Sequence, residues 1–210
     1  LKEIHHRVKN NMQLISSLLN LQGECIQDPE ARQAFEQAQH RIRSMALIHE
    51  RFYRSSSLAQ IEFSEYLRSL VDMLVSTYRA AQDRIEVRLE TAPVSLNVEL
   101  AVPLGLFVNE LVSNSLKHAF RDGRAGRLEI LLRQPGPESL QLGVRDNGRG
   151  FPAGFDLKNS SSLGLKLVNI LAHQLKGNLE FRTGAGSEFD LHIPLPKKPP
   201  GPPEPDTAGL

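Results

Sequence analysis

The chain opens with LKEIHHRVKNNMQLISSLL, in which two adjacent histidines, His5 and His6, begin an amphipathic pattern. Near neutral pH an imidazole can be a nucleophile, a proton carrier or a metal ligand. Neighbours on a helix point about 100° apart, so this pair lacks the same-face, i, i+4 spacing of zinc-binding helices. The pattern places His6 opposite the apolar stripe, facing solvent, and His5 on the shoulder of the stripe. An ordinary solvated histidine fits the same placement.

Two neighbours favour chemistry at His6. Glu3 precedes it by three residues and Asn10 follows it by four, so both can face its ring on a helix. A carboxylate can hold one tautomer of an imidazole and leave the other nitrogen as a nucleophile. The basic Arg7 follows His6 directly, so no acidic neighbour is available there as a base.

A second set of polar residues occurs in NELVSNSLKHAF, residues 109–120. Glu110 and Asn114 are four residues apart and share a helix face, and Lys117 lies one turn further. A face with a carboxylate, an amide and an ammonium group is unsuited to a core. Taken alone, it fits either a site or a solvated helix surface.

Two glycine-containing loops follow. DNGRG (146–150) ends a predicted strand with the carboxylate of Asp146, and its glycines permit close backbone approach to a ligand. SSSLGLKLV (160–168) places serines and Gly164 at a helix N-terminus, where free N–H groups and the helix dipole favour phosphate. The chain contains no GxxxxGK[ST] motif, which excludes a P-loop.

The elements that must position these residues follow from periodicity and turn residues. The sequence predicts a helix over 1–22 ended by Gly23, and a second helix capped by Asp28 that reaches about residue 53. The two helices should form a hairpin, and pairing two hairpins into a four-helix bundle would bury its apolar surface. The remaining segments are predicted as three helices, beginning near residues 64, 103 and 163, and five strands, at 85–90, 127–133, 140–145, 178–183 and 187–195.

In this order, ELxxNxxKHA, DNGRGF and a helix-opening LGLKLV resemble the GHKL (Bergerat) ATP-binding fold of gyrase-type ATPases, heat-shock chaperones and histidine kinases. The N-terminal HHRVKNNMQLISSLLNLQ and HRIRSMALIHERFYRS are similar to the phosphoacceptor and dimerisation region of a histidine-kinase subfamily related to the HWE kinases. The chain has no Trp, which HWE kinases carry in their signature. The resemblance covers residues 1–196.

The resemblance implies a sensor histidine kinase core with an α+β architecture and Mg-ATP as the substrate. It implies three parts of the chain: a dimerising phosphotransfer hairpin (1–54), a catalytic ATP-binding sandwich (61–196) and a disordered Pro-rich tail (197–210). His6 would accept the phosphoryl group and pass it to an aspartate of a response regulator. Asn10 would orient the water that hydrolyses the regulator's aspartyl phosphate.

The resemblance also implies roles in the nucleotide site. Asp146 would accept a hydrogen bond from the adenine amino group, Asn114 would ligate Mg²⁺, and Glu110 or Glu3 would be the base. The other expected nucleotide-binding residues are Lys117, His118, Gly148, Gly150, Phe151, Ser162, Leu163, Gly164 and Leu165. Phe151 would anchor a lid over 151–162.

Composition and charge limit the kinds of partner and the cellular setting to expect. A net charge of +1 gives no reason to expect nucleic acid as a partner. The single Cys25 excludes an intrachain disulfide, and apolar runs are shorter than the ~20 residues of a membrane helix, which predicts a cytoplasmic setting. The start at Leu1 indicates a fragment of a longer protein, which could be membrane-anchored, with an upstream sensor domain. The alternatives are a GHKL ATPase or serine kinase, or a nucleotide-binding scaffold, neither with a phosphohistidine.

Overall fold

The computed structural model describes residues 2–54, 60–78, 84–120 and 125–196. It describes the backbone but not the side chains of residues 2, 5, 6, 9, 30 and 52–54. The side chains of His5 and His6, and the predicted tail at 197–210, therefore lie outside the described residues.

The described part of the chain contains five α-helices and seven β-strands. The helices are α1 (Lys2–Glu24), α2 (Pro29–Arg54), α3 (Phe63–Tyr78), α4 (Val98–Asn114) and α5 (Leu163–Gln174). A π-helical turn, Ser115–Ala119, continues α4. The strands are β1 (Ile61–Glu62), β2 (Ile85–Thr91), β3 (Ser95–Leu96), β4 (Gly126–Gly136), β5 (Ser139–Asp146), β6 (Asn178–Gly184) and β7 (Gly186–Pro194).

Helices α1 and α2 form the predicted hairpin. Asp28 begins α2, and its carboxylate accepts a hydrogen bond from the backbone N–H of Ala31 at 2.7 Å, as expected for an N-cap. The predicted end of α1 at Gly23 is wrong, because the helix continues through that residue to Glu24. A glycine inside a helix costs only about 1 kcal/mol relative to alanine, so it does not have to end one.

The part of the chain after the hairpin is built on a five-stranded mixed sheet. Its order is β2–β4–β5–β7–β6, with β2 parallel to β4 and every other neighbouring pair antiparallel. The very short strands β1 and β3 pair separately, and the sequence did not predict them. The α+β fold class is confirmed.

The helices α3, α4 and α5 cover one face of this sheet and form a two-layer α/β sandwich with it. Alternate residues of β4 and β5, such as Ile130, Leu142 and Val144, are buried beneath them. The other face carries alternating charges, including the ion pairs Arg127–Glu86 and Arg133–Glu90. This alternation is the pattern of a sheet with one buried and one solvated face.

Helix α4 begins earlier than predicted. Asn97 caps it by accepting the N–H of Leu100 at 3.0 Å, so the helix starts at Val98 and contains Pro103. The prediction placed Pro103 in the first turn, where proline is most common. Together with the π-helical turn, the helical segment therefore runs from Val98 to Ala119.

The hairpin packs against the sandwich through α2. Ile48 is 1% exposed and belongs to the same core as Phe63 and Phe107. The hydroxyl of Tyr66 on α3 donates to the carbonyl oxygen of Ser44 at 3.3 Å. The arrangement leaves α1 as the outer helix. In the described part of the chain, no helix has the length and apolar character needed to cross a membrane.

Gly105 lies where α4 meets α3, and a Cβ at this position would overlap the hydroxyl oxygen of Tyr66. We predict that Gly105→Ala destabilises the protein by about 1–3 kcal/mol, because overpacking forces Tyr66 out of place. Gly23→Ala is the control, because nothing lies within 4 Å of the place its methyl group would occupy and alanine favours a helix by about 0.5–1 kcal/mol. Urea unfolding measures both, and equal effects would contradict the packing described for Gly105.

Candidate active site

A cavity of about 320 Å³ lies between the π-helical turn, the end of β5, the loop 151–162 and the start of α5. Seven of the predicted site residues line it: Asn114, His118, Asp146, Gly150, Phe151, Ser162 and Leu165. They come from three separate segments of the chain, 114–118, 146–151 and 162–165. The cavity is therefore the place where the predicted motifs converge.

Asp146 stands at the inner wall of this cavity and is 8% exposed. Its Oδ2 accepts hydrogen bonds from the hydroxyls of Ser115 at 2.9 Å and Ser187 at 2.6 Å. Its Oδ1 accepts the N–H of Gly148 at 2.9 Å. A carboxylate offers about four acceptor positions, so these three donors fix its orientation and leave about one position for a ligand donor.

The two serines that hold Asp146 were not predicted. Ser115 is the first residue of the π-helical turn, and Ser187 lies directly opposite Asp146 in the β5–β7 ladder. Ser115 lies within NELVSNSLKHAF, at a position to which that motif gave no role, and Ser187 belongs to no local motif. The strand pairing that brings Ser187 to Asp146 spans 41 residues of sequence.

The loop after Asp146 turns sharply at Gly150, whose φ of 66° is a left-handed conformation that favours glycine. A Cβ there would also lie 2.7 Å from the carbonyl oxygens of Gly184 and Gly186. This tight turn places Phe151 in the cavity wall.

Four phenylalanines anchor the loop 151–162. The ring of Phe151 stacks on Phe155 with centroids 4.5 Å apart and meets the edge of Phe181 at 5.2 Å. Phe181 and Phe189 belong to β6 and β7 and lie 4.7 Å apart. Phe151 was predicted as an anchor; Phe155 and Phe189, which also line the cavity, were missed. The apolar positions that alternate along NLEFRT and SEFDLHIPL indicate a buried face that could have suggested Phe181 and Phe189.

The start of α5 forms another part of the cavity wall. Ser162 is its N-cap residue, but its side chain makes no capping hydrogen bond, and Leu165 lies in the wall. Leu163 is 63% exposed and points away. The N–H groups of the first turn lack intrahelical partners in any helix, so this end can bind an anion.

The π-helical turn places the side chains of His118 and Lys117 on different sides. His118 lines the cavity, whereas the ammonium nitrogen of Lys117 lies 5.3 Å from the ring centroid of Tyr78 on α3. The lysine therefore faces the α3 side of the π-helical turn rather than the cavity. Burial lowers the pKa of Lys117.

Glu110 faces the hairpin. Its two carboxylate oxygens bind the guanidinium of Arg41 on α2, with N–O distances of 2.7 and 2.8 Å. Asn109 donates a further hydrogen bond at 3.2 Å, and Glu110 is 5% exposed. A Cβ on Gly164 would lie 2.7 Å from the Oε2 of Glu110, so the carboxylate also abuts the start of α5.

Arg41 was not predicted as a functional residue. It lies three residues after Ala38 and four before Met45, on the apolar pattern of α2. A charged residue on the buried side of an amphipathic helix requires a partner, and that was the signal available in the sequence.

The adjacent His40 makes a second contact with the sandwich. Its Nδ1 lies 2.8 Å from the hydroxyl oxygen of Tyr78, and the rings meet edge to face. Burial raises the pKa of Tyr78 to about 12, so the phenol stays protonated.

The predicted acceptor segment lies on α1. His5 and His6 fall within the helix, as expected, but their side chains are outside the described residues. Glu3 forms an exposed ion pair with Arg7 at 2.6 Å. Asn10 is exposed.

Two protein-family models match this chain. One, described as "Histidine kinase", matches residues 3–78. The other, described as "Histidine kinase-, DNA gyrase B-, and HSP90-like ATPase", matches residues 99–197. The chain belongs to the histidine kinases. The second match also implies that this kinase core binds ATP.

Several relatives agree with that assignment. The sensor histidine kinase PdtaS of Mycobacterium tuberculosis is 31% identical over 202 residues, which are 94% of this chain and 40% of the relative. Blue-light-activated histidine kinase 2 of Erythrobacter litoralis is 28% identical over 93% of this chain and 57% of its own length. The chain thus spans about two fifths to three fifths of the curated relatives it matches.

Among solved structures, the histidine kinase domain of a blue-light-activated histidine kinase from Erythrobacter litoralis superposes with a TM-score of 0.73. It is 28% identical, and the match covers 92% of this chain and 89% of that one. The predicted family and fold are therefore confirmed.

The burial of His40 predicts that the protein is less stable in acid. Burial lowers the pKa of His40 below 6.5, with Lys117 and Arg43 adding to the effect, while Glu36 and Glu110 oppose it. As pH falls, His40 of the unfolded chain binds a proton at a higher pH than His40 of the folded chain does. The contribution of the neutral, buried His40 to the free energy of unfolding is therefore present above about pH 6.5 and is lost as pH falls through the folded pKa.

The free energy of unfolding of the wild-type protein should fall between about pH 7.5 and pH 5.5. We predict a smaller fall in His40→Gln, because glutamine does not titrate. Urea unfolding at both pH values measures it, with the exposed His192→Gln as the control. An unchanged pH dependence in His40→Gln would contradict the assignment of this titration.

Proposed function

We propose that this chain uses Mg-ATP to phosphorylate His6 and then passes the phosphoryl group to an aspartate of a separate response regulator. The observation that carries the proposal is the cavity. Its wall contains the fixed carboxylate of Asp146 and the start of α5, in a chain whose first helix carries HHRVKNN. The inner carboxylate suits a nucleobase amino group, and the helix start suits phosphates.

In this proposal each residue of the cavity has a limited task. The acceptor position left on Asp146 receives an N–H of the adenine amino group, and Phe151 with Phe155 excludes water beside the base. The first-turn N–H groups of Gly164 and Leu165 hold the phosphates. Catalysis of this kind depends mainly on positioning and on neutralising charge.

Asn114 is the proposed ligand of Mg²⁺. Its amide oxygen is a suitable donor, and it lines the cavity one helical turn before His118. The described residues contain no cluster of three or more His, Cys, Asp or Glu side chains that could hold a metal. The residues therefore fit an ion held mostly by phosphate oxygens and water, and such an ion supplies charge neutralisation.

The transfer step is a displacement at phosphorus. The unprotonated nitrogen of the His6 imidazole bonds to the terminal phosphorus while the bond to the bridging oxygen breaks, and ADP leaves with the electron pair. The proton on the other ring nitrogen passes to a base. Glu110 and Glu3 remain the proposed bases, and each would first have to release an arginine, Arg41 or Arg7 respectively.

Two further roles belong to the proposal. Asn10 orients the water that hydrolyses the regulator's aspartyl phosphate, because an amide both donates and accepts hydrogen bonds. A sensor region in a longer protein supplies the signal. The alternatives are a GHKL ATPase or serine kinase, or a scaffold without turnover, and the stability of the phosphoryl bond separates all of them from a histidine kinase.

We predict that incubation with labelled ATP gives an acid-labile, base-stable phosphoryl group. His6→Ala should abolish this labelling, because the nucleophile is lost, whereas His5→Ala should retain part of it. Circular dichroism checks that both variants fold. Labelling lost in folded His5→Ala but retained in His6→Ala would assign the acceptor to His5.

We predict that Asp146→Asn weakens ATP binding at least tenfold, which corresponds to about 1.4 kcal/mol. The amide replaces an acceptor by a donor that faces the serine hydroxyls and the adenine amino group. Calorimetry of ATP binding measures the loss, with Asp72→Asn on the exposed side of α3 as the control. Equal affinity of Asp146→Asn and wild type would locate the nucleotide elsewhere.

The outer face of α1 supports a homodimer. Five apolar side chains on it are between 46% and 62% exposed: Ile4, Leu14, Ile15, Leu18 and Leu21. Apolar residues at helical spacing that remain exposed in one chain are the usual seam of a helical bundle.

We predict that light scattering gives the mass of a dimer, and that Leu18→Glu shifts it to the monomer because a charge would be buried in the seam. Gln13→Glu, on the polar side of α1, should leave the dimer intact. A wild-type monomer at high concentration would rule out this assembly.

A further inference from the structure

The middle of the loop 151–162 is tied to α5 by one side chain. The Nδ2 of Asn169 donates a hydrogen bond to the carbonyl oxygen of Leu157 at 3.0 Å. Asn169 belongs to the second turn of α5 and is half-buried. It is not one of the residues that line the cavity, and the proposed chemistry gives it no role.

Leu157 is the residue through which this loop enters the core. Its side chain belongs to the buried apolar cluster of the sandwich, and the residue is 8% exposed. Its carbonyl oxygen also accepts the backbone N–H of Ser160, at 3.5 Å. Because a carbonyl oxygen has two lone pairs, Asn169 and Ser160 together occupy both of its acceptor positions. The loop is therefore fixed half-way along its length.

The part of the loop that faces the cavity follows this fixed point directly. Ser160, Ser161 and Ser162 line the cavity, and we call them the serine wall. Ser160 is 8% exposed, and its hydroxyl oxygen accepts the backbone N–H of Ser162 at 3.2 Å. Two residues separate Leu157 from Ser160, so the position of Leu157 limits where the serine wall can lie.

Separate contacts hold the beginning of the loop. The backbone N–H of Phe151 donates to the Oγ1 of Thr183 on β6 at 2.8 Å, and the ring of Phe155 stacks on that of Phe151. These contacts fasten the first half of the loop to the sheet. The bond from Asn169 fastens the second half to α5, so the two halves can be loosened independently.

On the basis of the proposed function, we propose that Asn169 is a positioning residue for ATP that acts through Leu157. Its hydrogen bond holds the serine wall in place before the nucleotide binds. Without the bond the loop opens more often, and ATP binds only the fraction of molecules in which the wall is formed. Asn169 touches neither the nucleotide nor the reacting atoms, so it affects the affinity for ATP and not the transfer step.

The alternative is that Asn169 only stabilises the fold. Asn169→Ala would then change the free energy of unfolding but would leave the opening of the loop and the affinity for ATP as they are in wild type. Stability alone therefore does not separate the two cases. Local hydrogen exchange, and the division of the kinetic effect between KM and kcat, do separate them.

The test begins with hydrogen exchange of the 210-residue chain without nucleotide, followed by mass spectrometry of the loop 151–162. Asn169→Ala removes the donor, and Asn169→Asp keeps the shape but turns an acceptor towards the carbonyl oxygen of Leu157. Gln174→Ala is the control, because it removes an exposed amide from the same helix. Calorimetry of ATP binding and the rate of His6 labelling over a range of ATP concentrations are measured on the same proteins.

We expect the loop amides to exchange at least threefold faster in both Asn169 variants than in wild type, and the amides of β4 and β5 to exchange as in wild type. The Kd and the KM for ATP should rise at least twofold and by similar factors. The rate of His6 labelling at saturating ATP should not change. Gln174→Ala should match wild type in every measurement.

Unchanged exchange of the loop in both Asn169 variants overturns the proposal. Faster exchange with unchanged affinity for ATP also overturns it, and so does a lower rate at saturating ATP with unchanged KM. If wild type neither binds ATP nor labels His6, the proposed function fails. The exchange measurement still decides in that case whether Asn169 holds the loop in place.

Discussion

The buried carboxylate of Glu110 determines how the two parts of this kinase core fit together. An ionised carboxylate with 5% exposure must be paired, because the penalty for taking it out of water is several kcal/mol. Arg41 provides the pairing from α2, 69 residues earlier in the chain. The position of the hairpin on the sandwich therefore follows from an electrostatic requirement as well as from the apolar contacts of Ile48.

Helix α4 connects this requirement to the cavity that we propose binds ATP. Its apolar side packs in the core, its last residue Asn114 lines the cavity, and Glu110 faces the hairpin. Gly164 at the start of α5 also abuts Glu110. The cavity and the interface with α2 thus share one helix.

The sequence predicted those residues of the cavity wall that belong to contiguous motifs. Asp146 and Gly150 belong to one such motif and Asn114 and His118 to another, so local spacing was sufficient to find them. Ser187 and Arg41 depend on strand pairing and on helix packing between distant segments, which no local motif records. The resemblance placed Lys117 near the phosphates, whereas the structure has its ammonium nitrogen 5.3 Å from the ring centroid of Tyr78, a contact between segments that no local motif records.

A double-mutant cycle on Arg41 and Glu110 tests most directly whether their ion pair fixes the hairpin on the sandwich. Urea unfolding measures the free energy of unfolding of wild type, Arg41→Gln, Glu110→Gln and the double variant. The account predicts that each single substitution costs about 3–5 kcal/mol, because it leaves a buried charge without a partner, and that the double substitution costs clearly less than the sum of the two. Costs that add within about 0.5 kcal/mol would show that the two side chains act independently and would contradict the account.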